Sequence, residues 1–188
     1  MIKKTDLIQV INDVFKGVKL EDGIGLWEGQ GLDDYATKED CLKFRKRDEK
    51  QDWRKIPLID LYKGSSSLSF FDAKGMQFHL TQFLLFDLDV FEKEEDELRR
   101  NNKLEALICP EVLFHLTHDL RSRYSTQRFL ALHKTQVQCI IDYLSYKIQE
   151  REQYHLKFGF TYCSKEKSEV FYKEIESAIS IWKSKVIL

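Results

Sequence analysis

Residues 67–81 read SLSFFDAKGMQFHLT, and this stretch decides the predicted fold. Apolar side chains alternate with serines around Leu68 and Phe70, and they alternate with polar side chains again from Met76 to Leu80. Between the two runs, Asp72–Gly75 has the composition of a turn with glycine at its last position. Two alternating runs about a four-residue turn are typical of a β-hairpin. We therefore predict a hairpin over about residues 68–80.

Helical periodicity dominates the sequence on both sides of this hairpin. The clearest case runs from Lys134 to about Gln149, where apolar residues recur three and four positions apart along one face. The same pattern predicts further helices at residues 6–16, 38–53, 58–62, 82–91, 110–120 and 165–185. An isolated hairpin is only marginally stable in water, so it must pack on these helices. The predicted fold class is α+β and predominantly helical, with the helices packed around the small β-hairpin.

Two further segments complete the predicted secondary structure. Residues 17–31 contain five glycines, and we predict a loop there that packs against the domain through its apolar side chains. Residues 154–162 alternate strictly between aromatic or apolar side chains and other residues, which predicts an additional strand. A chain of 188 residues fits a single globular domain, residues 1–188.

The composition excludes several classes of partner. Lys and Arg number 30 against 31 Asp and Glu, so no excess of positive charge attracts nucleic acid or anionic lipid. The sequence has no transmembrane-length apolar run, and polar residues interrupt the N-terminal segment where a secretory signal needs a continuous apolar region. We therefore expect a cytoplasmic protein that binds neither nucleic acid nor membrane.

Metal and cofactor sites are not predicted either. The four cysteines lie far apart and form no CxxC pair, which argues against a zinc site. His115 and His118, with Asp119 beside them, form the most suggestive cluster, because residues three apart share a helix face. On the predicted helix, His118 points away from the apolar stripe and His115 lies at its edge, so supporting groups would be missing. The sequence leaves open whether this histidine pair binds a metal.

The sequence offers no arrangement typical of catalysis. Ser65, Ser66 and Ser67 are nucleophiles only by residue type, because no GxSxG elbow surrounds a serine. The Gly-x-Gly pairs within residues 23–31 follow no predicted strand and match neither dinucleotide nor phosphate-loop spacing. No catalytic residue is therefore predicted.

Three segments resemble a family of uncharacterised bacterial proteins. They are the stretch from Gly17 to the DDY triplet at residues 33–35, the W-x-x-I-P motif at residues 53–57, and the LSF-x-D-x-x-G-x-x-F core at residues 68–78. The resemblance covers most of residues 17–145. It implies an accessory or immunity-type binding protein, and it assigns no catalytic role.

The same motifs supply the candidate binding residues, which are Asp33, Asp34, Tyr35, Trp53, Arg54 and His79. Trp53 is expected to pack in the core. Asp33, Asp34, Tyr35 and Arg54 have no obvious structural role, and either a ligand site or a buried hydrogen-bond network would account for them.

Two functions are compatible with this sequence. The missing catalytic arrangement and the acidic stretch Glu92–Glu97 predict a non-enzymatic protein that binds another protein of basic character, with toxin neutralisation as the specific form. The alternative is a hydrolase whose site lies between the loop of residues 17–35 and the hairpin.

Overall fold

The computed structural model describes residues 1–160 and 164–187, with side chains as far as Lys185. These residues form ten α-helices and two short 3-10 helices, and none of them belongs to a strand. The α-helices are α1 (Lys4–Val14), α2 (Leu26–Asp33), α3 (Lys38–Arg47), α4 (Leu58–Lys63), α5 (Ala73–Asp87), α6 (Glu92–Arg100), α7 (Val112–Thr117), α8 (Arg123–Arg128), α9 (Lys134–Phe158) and α10 (Lys165–Ile187). The 3-10 helices are Trp53–Lys55 and Ser65–Ser69. The fold is therefore all-α, and the predicted α+β class is wrong.

The stretch that suggested a hairpin forms a 3-10 helix and the first half of α5. Asp72 is the N-cap of α5, and its Oδ1 atom accepts a hydrogen bond of 2.7 Å from the Gly75 backbone N–H. The same oxygen accepts a second hydrogen bond, of 3.0 Å, from the backbone N–H of Ile24. The spacing Asp72-x-x-Gly75 thus starts a helix, because an Asp side chain can satisfy an N–H group that the first helical turn leaves unpaired.

The alternation after Gly75 misled the prediction because α5 is buried on almost every side. Eleven of its fifteen residues are buried, including the polar His79, Thr81 and Gln82. A helix surrounded by protein has no polar face, so a 3.6-residue period is missing from its sequence. The predicted hairpin is therefore replaced by the central helix of the core.

Helix α5 is in contact with α1, α7, α8 and the 3-10 helix Trp53–Lys55. Helix α1 lies against α5 and α9, while α10 packs along α9 and also contacts α7. Helices α7 and α8 contact α5 on another side, and α2 packs on the 3-10 helix Ser65–Ser69. The helices predicted at residues 134–149 and 165–185 are present, and Ser164 caps α10 through a 3.3 Å hydrogen bond from the Lys167 N–H. Within the described part of the chain, no helix is both long and apolar enough to cross a membrane.

Two other predicted segments differ from the structure. Helix α9 continues to Phe158 and ends at Gly159, whose φ of 63° is a backbone conformation that suits glycine. The predicted strand at 154–162 is therefore wrong over residues 154–160, and residues 161 and 162 lie outside the described part. Residues 26–31 of the predicted loop belong to α2 instead.

The loop before α2 approaches the start of α5 very closely. A Cβ atom on Gly75 would lie 2.3 Å from the carbonyl oxygen of Ile24, and one on Gly23 would lie 2.6 Å from the Gly75 nitrogen. Real Cβ atoms essentially never approach other atoms so closely. These glycines therefore allow the backbone contact that positions α2 beside α5.

Candidate functional site

The DDY triplet predicted from sequence lies at the exposed end of α2. Asp33 ends the helix, and Asp34 and Tyr35 follow it. The Gln30 side-chain amide donates hydrogen bonds to the carboxylates of Asp33 and Asp34, at 3.4 and 3.1 Å. The Tyr35 side chain is 96% exposed. The triplet therefore belongs to the surface at the C-terminal end of α2.

The predicted residues Trp53 and Arg54 point in different directions. Trp53 is buried, and its indole N–H donates a 3.0 Å hydrogen bond to the carbonyl oxygen of Phe15. Arg54 lies on the surface and binds Asp52 with two hydrogen bonds of 2.8 and 3.0 Å. This pairing lowers the pKa of the Asp52 carboxyl. The two neighbours therefore serve the core and a surface ion pair respectively.

His79 is the candidate residue that lines a cleft. This cleft, which we call the His79 cleft, has a volume of about 290 Å³ and is lined by residues from four regions of the chain: Leu26, Trp27, Arg47, Asp48, Glu49, Lys55, Ile56, Pro57, Asp60 and His79. Asp48 accepts hydrogen bonds from the backbone N–H groups of Trp27, at 2.7 Å, and Glu28, at 3.4 Å. Both oxygens of Asp48 are thus used to cap α2. The Gly-rich segment therefore directs its free N–H groups to Asp48 instead of to a phosphate.

The His79 side chain is buried and fixed in one orientation. Its Nδ1 atom lies 2.8 Å from the carbonyl oxygen of Gly75, and its ring stacks on Phe71 with centroids 4.4 Å apart. Because a carbonyl oxygen can only accept, Nδ1 carries the proton and Nε2 is a hydrogen-bond acceptor. Burial lowers the pKa of His79 to about 4, so the ring is neutral at pH 7. Asp60 also lines the cleft, and burial raises the pKa of its carboxyl.

His115, on α7, and His118, the C-cap residue of α7, contact different side chains. His115 Nδ1 lies 3.3 Å from Nη1 of Arg128, which can only donate, so this nitrogen accepts. Burial and the Arg128 charge lower the pKa of His115 to about 4. His118 instead stacks on Phe114, with ring centroids 4.3 Å apart. In the described part of the chain, no three His, Cys, Asp or Glu side chains form a group that could hold a metal ion.

A larger cleft lies where the second half of α9 meets α10, α7 and the end of α5. We call it the arm cleft. Its volume is about 490 Å³, and its lining consists of Asp87, Leu113, Lys147, Glu150, Arg151, Tyr154 and Phe171. The four charged side chains come from α5 and α9, and Leu113 and Phe171 supply apolar walls from α7 and α10. The cleft therefore combines aromatic and aliphatic walls with both signs of charge.

A connected polar network forms the floor of the arm cleft. The buried Tyr143 hydroxyl donates a 2.6 Å hydrogen bond to Oδ2 of Asp87, and Nζ of Lys147 lies 3.1 Å from the same oxygen. Lys147 also binds Glu150, whose Oε1 atom accepts a 3.2 Å hydrogen bond from Tyr146. Burial opposes the charge of Lys147, but Asp87 and Glu150 outweigh it and raise the pKa of Lys147. Burial and Asp87 raise the pKa of Tyr143 well above its ordinary value. The floor is thus a connected network of ion pairs and hydrogen bonds.

Aromatic contacts form the upper walls of the arm cleft. Arg151 lies with Cζ 4.4 Å from the centroid of the Phe171 ring. The Tyr154 ring packs on Phe158, with centroids 5.0 Å apart, and Phe158 is 46% exposed. The stripe of cleft residues on α9 therefore continues into an aromatic edge on the protein surface.

Carboxylates surround the other side of this region. Burial and then the charges of Glu95 and Asp87 raise the pKa of the Cys109 thiol, and Glu111 adds to the effect. These carboxylates, from α6, α5 and the N-cap of α7, are thus close enough to act on one side chain. The acidic stretch predicted as a surface is helix α6, on which none of the residues is buried.

A family model covers residues 3–174, from the start of α1 to the first half of α10. It describes a family of unknown function, DUF6714. The chain belongs to this family. No curated protein and no solved structure matches it. The DUF6714 match includes both clefts and extends the resemblance seen over residues 17–145 toward both ends.

Sequence reasoning missed the arm cleft of this DUF6714 chain. Lys147, Glu150, Arg151 and Tyr154 are spaced i, i+3, i+4 and i+7, which places them on one face of a helix. The predicted helix ends at residue 149 and the predicted strand begins at residue 154, so the prediction did not assign these four residues to one element. Asp87 carries no comparable signal, because only the packing of α5 on α9 brings it to Lys147.

Proposed function

We propose that this protein is a non-enzymatic protein-binding module and that the arm cleft, together with the aromatic edge at Phe158, contacts the partner. The observation that carries the proposal is the size and lining of this cleft, about 490 Å³, whose walls include Tyr154, Phe171 and Arg151. Aromatic residues and arginine are enriched among side chains that dominate binding energy in protein interfaces. Exposed aromatic side chains beside a cleft are unfavourable in water and are typical of interaction sites.

The acidic helix α6 favours a partner segment of basic character. The cleft itself is lined by Asp87 and Glu150 together with Lys147 and Arg151, while Asp87, Glu95 and Glu111 all act on the thiol of Cys109. A Lys or Arg side chain of the partner would meet Glu95 or Glu111. An apolar side chain of the partner would fill the space between Tyr154, Phe171 and Leu113. Electrostatic complementarity of this kind raises association rates and suppresses wrong partners.

The paired floor supports a binding role over a catalytic one. Lys147 and Tyr143 both contact Oδ2 of Asp87, so this oxygen is already occupied. A paired floor keeps the walls in place, and a preorganised site loses less entropy on binding. In its specific form, the proposal makes the partner a basic toxin that this protein neutralises.

A peptide selection would test the proposal without requiring the partner to be identified first. A display library of random peptides would be selected on the wild-type protein, and the enriched peptides would be measured for binding to Phe158→Ser and Glu150→Gln. We expect enrichment of apolar residues flanked by Lys or Arg, and at least about a tenfold loss of affinity for both variants, or about 1.4 kcal/mol. Leu130→Ser is the matched control, because Leu130 is 70% exposed and lies outside the arm cleft.

Two results would refute the proposal. One is a selection that enriches no peptide above background. The other is a set of peptides that bind Phe158→Ser and Glu150→Gln as tightly as the wild-type protein. As a second measurement, the native partner should co-purify with the wild-type protein and with Leu130→Ser, but not with Phe158→Ser.

One observation favours the hydrolase alternative. The His79 cleft lies between α2, within residues 17–35, and the segment that was predicted to form the hairpin. Neutral His79 with an accepting Nε2 has the form of a general base. No serine, threonine or cysteine is among the lining residues, so an activated water would have to be the nucleophile. Turnover of p-nitrophenyl acetate or p-nitrophenyl phosphate by the wild-type protein, lost in His79→Gln, would favour this alternative.

A further inference from the structure

Arg128, the last residue of α8, is a buried cation held by neutral groups. It is 6% exposed. Its Nη1 atom donates a 3.0 Å hydrogen bond to the carbonyl oxygen of Leu68 and lies 3.3 Å from Nδ1 of His115, and Nη2 lies 3.4 Å from the His115 carbonyl oxygen. The Nε–H group is buried and has no hydrogen-bond partner among the described residues. The guanidinium is thus held in place without a counter-charge in contact.

A second cation, Lys185 of α10, lies near the first. Its Nζ atom is also buried without a hydrogen-bond partner in the described part of the chain, 4.5 Å from the Trp182 ring centroid and 5.4 Å from that of Phe129. The Arg128 Cζ atom lies 5.1 Å from the same Phe129 ring. Burial, and then the charge of Arg128, lower the pKa of Lys185. Two like charges therefore share one aromatic ring.

No carboxylate of residues 1–160 and 164–185 forms an ion pair with either cation. Asp119 acts on Arg128 only as a more distant charge. Buried charges in proteins are normally paired, because removing an unpaired ion from water costs several kcal/mol. Among the described residues, neither buried cation therefore has a counter-charge in contact.

A cleft of about 280 Å³ leads from solvent to Arg128. The side chains of Tyr124 and Gln127 line it and offer a phenol and an amide as donors, while Phe70 and Phe71 form apolar walls. Asp72 also lines the cleft, and its Oδ1 atom is occupied by the N–H groups of Ile24 and Gly75. Positive charge and hydrogen-bond donors thus meet at the Arg128 end of the cleft.

We propose that this cleft binds an anionic group, a phosphate or a carboxylate, at the Arg128 end, with Lys185 adding positive charge from its position at the shared Phe129 ring. The guanidinium suits such oxyanions because it is planar and always positively charged, and its N–H groups all donate hydrogen bonds. Tyr124 and Gln127 complete the set of donors. The site is independent of the arm cleft, with which it shares no lining residue.

Thermal denaturation in inorganic phosphate or acetate, against sodium chloride at equal ionic strength and pH, would test the proposal. We expect at least one of the two anions to raise the melting temperature of the wild-type protein in a saturable way, because a ligand that binds only the folded state stabilises it. Comparing inorganic phosphate with acetate shows whether the cleft binds a phosphate or a carboxylate. Arg128 itself is left unchanged, since it also holds the Leu68 carbonyl group.

Three variants make the outcome specific. Gln127→Glu places a negative charge on an exposed position of the cleft, and Lys185→Met removes the second cation. Each should weaken anion binding at least tenfold, as measured by calorimetric titration. Gln153→Glu makes the same charge change at an exposed position of α9 and should bind like the wild-type protein. Equal melting temperatures in all three salts, or equal affinities in Gln127→Glu and the wild-type protein, would overturn the proposal.

Discussion

Replacing Asp72 by alanine tests the feature on which the all-α fold depends. Asp72 Oδ1 accepts two backbone hydrogen bonds, from Gly75 at 2.7 Å and from Ile24 at 3.0 Å. The first caps the central helix, and the second attaches the loop before α2 to the start of that helix. Asp72→Ala removes the acceptor of both hydrogen bonds at once.

The structure gives the size of the effect. Loss of an N-cap aspartate costs about 1 kcal/mol. Loss of the second hydrogen bond costs about another 1 kcal/mol, because this hydrogen bond is exposed and water can partly replace the carboxylate. The total of about 2 kcal/mol corresponds to a fall in melting temperature of about 4–8 °C for a chain of this size.

Urea denaturation followed by far-UV circular dichroism measures this change, and amide hydrogen exchange at Gly75 locates it. Asp72→Asn keeps an acceptor oxygen and should lose clearly less than the alanine variant. Glu176→Ala, at an exposed position of α10, should stay within about 0.5 kcal/mol of the wild-type protein. The reasoning fails if Asp72→Ala is no less stable than Glu176→Ala, or if exchange at Gly75 is unchanged.

Three further outcomes are expected. Burial lowers the pKa of both His79 and His115 to about 4, so the folded protein binds fewer protons than the unfolded chain below about pH 6.5. The free energy of unfolding should therefore fall between about pH 6.5 and pH 4, by on the order of 3 kcal/mol per ring. Urea titrations should show a shallower fall in His79→Gln, and an identical slope would contradict this. Lys147→Met should reduce the free energy of unfolding by about 1–3 kcal/mol, because it leaves Asp87 partly buried without its cation. Adding Asp87→Asn should recover part of the loss. A double variant no more stable than Lys147→Met would show that the ion pair is not the cause. Gly75→Ala should lower the free energy of unfolding by about 1–3 kcal/mol in the same assay, since the alanine Cβ would lie 2.3 Å from a backbone oxygen. This loss is expected although alanine has the higher helix propensity. Equal or greater stability would show that the loop before α2 can move away.

The candidate sites show what pattern reading can and cannot find. His79 is the residue named from sequence that lines a cleft. Asp34, Tyr35 and Arg54 are exposed and Asp33 is half-buried, and their polar character alone does not distinguish a solvated surface from a ligand site. Residues such as Asp87 and Lys147 are 60 positions apart in sequence, and the contact between them follows from the packing of α5 on α9.

Local sequence was enough to predict those helices whose two faces differ. The first part of α9, residues 134–149, follows from its apolar stripe, and α3 begins after Thr37, which accepts a 3.2 Å hydrogen bond from the Asp40 N–H. Tertiary structure alone decided that residues 73–87 are helical, because a segment enclosed by protein on nearly all sides has no polar face to reveal its period. It also decided which charges meet, as at Arg128 and Lys185, since the environment of a charge is set by helices that are distant along the chain.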